Sequence, residues 1–132
     1  MTVCRAASIV VDNDHLEYFG PEGAHWRAPI SQMRALGELR IPGLEDAHYL
    51  AVLIDDSGGW LQAPARASGM EQVLETLGTR LNHRLLLTLS AAPRNTSRTL
   101  WPVHLENEPL FDFGSDGRVS VTRRLQAFLT TR

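Results

Sequence analysis

The chain has 132 residues, 43% of them hydrophobic and 21% charged, with a formal net charge of −2. That length and balance fit a single globular domain spanning residues 1–132, burying roughly two thirds of its unfolded surface, and exclude a disordered chain. The apolar runs fall well short of the ~20 residues that span a bilayer, and the amino terminus lacks the order of a signal peptide, so a cytoplasmic protein without a membrane partner is expected.

Ala7-Ser8-Ile9-Val10-Val11 is β-branched and predicts a first strand, stopped by the turn formers Asp12-Asn13-Asp14. His15 to Phe19 alternates loosely as far as Gly20-Pro21-Glu22-Gly23, and Ala24 to Arg27 predicts its hairpin partner. From Pro29 the spacing of Ile30, Met33, Leu36, Leu39 and Ile41 suits either a short helix or a strand broken by a bulge. Arg40 to Asp46 reads as a loop around Pro42-Gly43. His48 to Ile54 is an apolar run of strand length, closed by the turn cluster Asp55 to Gly59. Trp60 to Ala63 returns as its partner, and Pro64 ends that strand or confines it to an edge.

Ser68-Gly69-Met70-Glu71 predicts a capping box, with Ser68 accepting from the Glu71 backbone and the Glu71 side chain reaching back. Met70, Val73, Leu74, Leu77 and Leu81 then form one apolar stripe at helical spacing. Leu85 to Ser90 predicts another strand, followed by a polar loop at Ala91 to Asn95. Arg98 to Trp101 begins a further strand, cut at Pro102 and continued by Val103 to Leu105. Pro109 to Phe113 is a short apolar piece before the turn Gly114 to Gly117. Val121, Leu125, Phe128 and Leu129 predict a second amphipathic helix at the carboxyl end, whose stripe suits the core or a second copy in a homodimer.

Strands in consecutive runs favour an α+β fold: an antiparallel sheet of about six short strands with one central and one C-terminal amphipathic helix. The block Ala28 to Glu38, then His48 to Leu53, Trp60 to Ala63 and the Met70–Leu81 helix, resembles bacterial pleckstrin-homology-like domains. The resemblance covers about residues 28–81 and contains no invariant signature. It implies a bent sheet or half-open barrel with a helix across one end, and a binding module of the kind found among small toxin-neutralising proteins.

All 13 basic residues are arginine, which fits either a GC-rich genome or a preference for planar guanidinium contacts. Residues 1–78 hold 11 acidic and 5 basic groups, net −6; residues 79–132 hold 4 acidic and 8 basic, net +4. Scattered arginines on an acidic chain argue against nucleic acid as a partner. One cysteine, Cys4, excludes an internal disulfide.

The histidines (His15, His25, His48, His83, His104) have no metal-ligand spacing, so neither a metal nor a cofactor is expected. No Gly-x-Ser-x-Gly elbow or phosphate loop is present, and the paired acids Glu45-Asp46 and Asp55-Asp56 lie in turn-rich loops. What stands out are Trp26, Trp60 and Trp101 at predicted strand ends, where they either cap the core at the ends of the sheet or anchor a protein interface. Arg94 and Arg98, flanking Asn95-Thr96-Ser97, add a candidate anion-binding corner. The expectation is a non-catalytic protein-binding domain of immunity type. The alternative is a small enzyme or ligand-binding protein with a pocket on the sheet face, using His15, His25, His48 or His104 with a carboxylate.

Overall fold

The computed structural model describes residues 7–41, 48–54, 60–89, 96–115 and 118–130. The predicted amino-terminal strands form a three-stranded antiparallel meander of β1 (Ser8–Asp12), β2 (His15–Phe19) and β3 (His25–Pro29). Asn13, at φ 57°, makes the turn between β1 and β2. Leu16, Tyr18 and Ala28 point inward, while His15, Glu17, Phe19, His25 and Arg27 face outward, the period of two that a half-covered sheet requires.

The ambiguous segment after Pro29 resolves as one helical turn at Ile30–Gln32 followed by β4 (Ala35–Arg40). A register shift between Leu36 and Gly37 in its pairing with β7 supplies the bulge. β4 lies inside a four-stranded antiparallel sheet with β5 (His48–Leu53), β6 (Leu61–Pro64) and β7 (Thr96–Trp101), in the order β6-β5-β4-β7. β6 is an edge strand ending at Pro64, the placement a residue without an N–H demands. The cluster Asp55–Gly59, with Cys4, Glu45-Asp46 and Arg94, lies outside the described residues.

Apolar residues cover both faces of this sheet. Leu36, Leu50, Val52, Ala63 and Leu100 pack on the side of the amino-terminal meander and helix α1 (Met70–Leu81), against Ile9, Leu16, Met70, Val73 and Leu77. Ala35, Leu39, Ala51 and Leu53 pack on the opposite side with Leu105, Leu110, Phe111, Leu125 and Leu129. That second layer is built from a hairpin of β8 (Phe111–Phe113) and β9 (Val119–Val121) and from α2 (Arg123–Thr130).

The α+β class with antiparallel pairing and two helices holds. The strands are divided among sheets of three, four and two strands rather than joined in one, and none of these closes into a barrel. Three local expectations are also corrected. α1 is capped by Gly69, at φ 91°, without a side-chain bond from Ser68. The Ser68 carbonyl instead accepts from Ile9 N–H at 2.9 Å, tying the turn to the edge of β1, and a Cβ at Gly69 would run into the Ile9 carbonyl. Leu85 to Thr88 joins no strand and Leu89 falls in a helical turn, and Val103–Leu105 is likewise a helical turn after Pro102.

Candidate functional site

On the meander side of the four-stranded sheet, the alternation of β4 places Glu38 beside Leu36, where an apolar residue would ordinarily sit. Its side chain has no exposed surface. A buried carboxylate must be matched by donors, and here seven contacts converge on it. Oε1 accepts from His48 Nε2 at 2.7 Å and from the Thr88 and Leu89 backbone N–H groups at 3.0 Å each. Oε2 accepts from Arg98 Nη2 at 2.8 Å and Nε at 3.1 Å, from Thr88 N at 2.9 Å and from Thr88 Oγ1 at 3.4 Å.

Each partner comes from a different stretch of chain. Arg98 is directly opposite Glu38 on β7, and His48 stands on β5. Burial alone would raise the carboxyl's pKa, but the bonds from His48, the two backbone N–H groups and Arg98 outweigh it and hold it at about 2, against an ordinary 4.5. Arg98 also donates to the Leu86 carbonyl and, through Nη1 at 2.9 Å, to Asn107 Oδ1. The cluster therefore fastens the segment 85–89 onto the sheet. With both oxygens engaged and the group closed to solvent, Glu38 is placed to fix structure rather than to meet a substrate.

The tryptophans are each half-buried. Trp26 donates its indole N–H to the Gln62 carbonyl at 2.9 Å and packs on Tyr18, with ring centroids 5.7 Å apart. Trp60 donates to Gln62 Oε1 at 3.0 Å and packs on Phe111 at 4.5 Å. Gln62 on β6 thus holds both indoles, Trp26 in the meander-side layer and Trp60 in the opposite one, whereas Trp101 packs against the meander-side core. Arg98 is drawn inward by Glu38.

Sequence reasoning missed both the Glu38 cluster and the groove that it helps to shape. The groove, about 640 Å³, lies between α1 and the chain that follows it. Leu74, Leu85 and Leu86 make it mostly apolar, Glu71 and Glu75 form the rim on the helix, and His83 and Arg84 stand on the other wall. His83 Nε2 lies 3.3 Å from Glu106 Oε2. The second wall is held at both ends. Asn82 adopts the left-handed conformation that ends α1, His83 N–H returns to the Gly78 carbonyl at 3.0 Å, and the Glu38 cluster grips Thr88 and Leu89.

Among the described residues, no group of His, Cys, Asp and Glu is arranged to hold a metal ion, and no helix is long and apolar enough to cross a membrane. Comparison with protein-family models, with curated proteins and with solved structures found no match.

Proposed function

We propose that the protein is a non-catalytic binding module that recognises another protein through the surface formed by α1 and residues 82–86. The observation that carries this reading is the groove: it is mostly apolar and bounded by a wall anchored at both ends. Leu86 leaves half of its surface exposed at this edge (50%), which a partner's apolar side chain would cover. A preformed concavity saves the ordering cost that otherwise reduces affinity. The toxin-neutralising form of this function rests on the resemblance to bacterial pleckstrin-homology-like domains.

The alternative, a pocket that pairs a histidine with a carboxylate, draws less support. His48 does meet Glu38, but both are buried and bonded to each other, and His25 meets Glu17 at 2.7 Å on the outward face of the meander, away from the groove.

Affinity capture from the native host's lysate, with wild type and Leu86→Asp in parallel, tests the binding reading. One stoichiometric protein retained by wild type and lost by the variant supports it. Return of the bait alone counts against it.

A further inference from the structure

Resting on that reading, we infer that the groove takes an amphipathic protein segment that seats apolar side chains against Leu74 and Leu86 and carries its basic residues at one end. The charges around the groove select this occupant. Glu71 and Glu75 are one helical turn apart, both exposed, and neither carboxylate has an ion-pair partner among the described residues. A second groove, of about 620 Å³ between the 65–69 turn and the start of α1, shares the same two acids. They therefore border two concavities at once, and a cation laid between them meets both carboxylates.

Arg84 is exposed on the facing wall and also lacks an ion-pair partner among the described residues. A uniformly basic segment would meet repulsion there, so the complementary segment is polar along its length: basic over α1, neutral or acidic toward Arg84. Charge pairs at such a rim set orientation and specificity, while the buried apolar contacts supply most of the affinity.

The probe is a fluorescently labelled model peptide of about 12 residues, long enough to run the 12-residue length of α1 if extended, with leucine anchors, lysines at one end and glutamates at the other. A second peptide replaces the lysines with glutamate. Fluorescence polarisation should show the lysine peptide binding more tightly to wild type, with affinity falling as salt rises. Glu71→Arg/Glu75→Arg should weaken it at least about fivefold and reverse the preference toward the all-glutamate peptide. Leu86→Asp should weaken both peptides about tenfold. All substituted side chains are exposed, and circular dichroism confirms that each variant folds; Glu71→Gln/Glu75→Gln serves as the milder replacement.

Absence of binding, equal binding of the two peptides, or an affinity that the Glu71/Glu75 variants leave unchanged would overturn the inference. A lysate partner captured equally by wild type and by these charge variants would remove the groove's charge selection but leave the binding reading intact.

Discussion

Glu38 shows how one charged side chain can organise a small domain. A lone charge inside a strand buried on both faces is costly, and the cost is met by donors from β5, β7 and the 85–89 segment. Glu38→Ala leaves those donors buried without an acceptor and should cost about 3–5 kcal/mol in urea unfolding. Glu38→Gln keeps the shape but turns an NH₂ group toward donors, for about 2 kcal/mol. The pH dependence follows from the same bonds. Because the folded carboxyl titrates at about 2 and the unfolded one near 4.5, its contribution is fully present above pH 4.5 and is lost as pH falls toward 2. That loss is on the order of 3 kcal/mol, and Glu38→Gln should remove it from a plot of urea midpoint against pH. A steric counterpart sits next door. At Gly37 a Cβ would meet the Leu110 side chain and lie 2.8 Å from the Arg98 carbonyl, so Gly37→Ala should destabilise by about 2–3 kcal/mol.

At the level of elements, α1 illustrates which information is local. Its apolar stripe and the alternation of the β1–β2–β3 meander are visible in the sequence because burial on one side imposes a fixed period. The capping box is a different case. Ser68 and Glu71 have the right spacing, but Ser68 is recruited by Ile9, some sixty residues away, and the helix starts one residue later. Leu85 to Leu89 has strand composition, yet the Thr88 and Leu89 N–H groups turn to Glu38 instead of a neighbouring strand. Only the isolated charge at Glu38, set among Leu36 and Leu39, hinted that a distant counterpart was needed. The groove depends on such long-range contacts, so no motif announces it. Gly78→Ala gives a test: glycine-to-alanine inside a helix ordinarily stabilises by ~1 kcal/mol. Here the new Cβ would lie 2.9 Å from the His83 carbonyl, and thermal unfolding should show a net loss of about 1 kcal/mol instead.

Across the whole molecule, β4 and β5 serve two apolar layers at once. Residues of alternate parity face the meander and α1 on one side, and the β8–β9 hairpin with α2 on the other. Neither layer can loosen without exposing the back of the same strands. Leu77→Ala and Leu125→Ala, which open opposite layers, should each cost about 2–5 kcal/mol and each shift a single unfolding transition. Coincident near- and far-ultraviolet circular dichroism curves for both variants check this.

The bond from the Trp26 indole to the Gln62 carbonyl has a consequence for colloidal behaviour. An edge strand presents its backbone as a template on which another chain can polymerise. On β6, the described edge opposite β7, one template acceptor is already occupied from within the molecule and roofed by an indole ring. Trp26→Phe keeps most of the apolar bulk while uncovering that acceptor. Concentrated solutions of the variant should scatter more light on standing than wild type, even at temperatures where both remain folded.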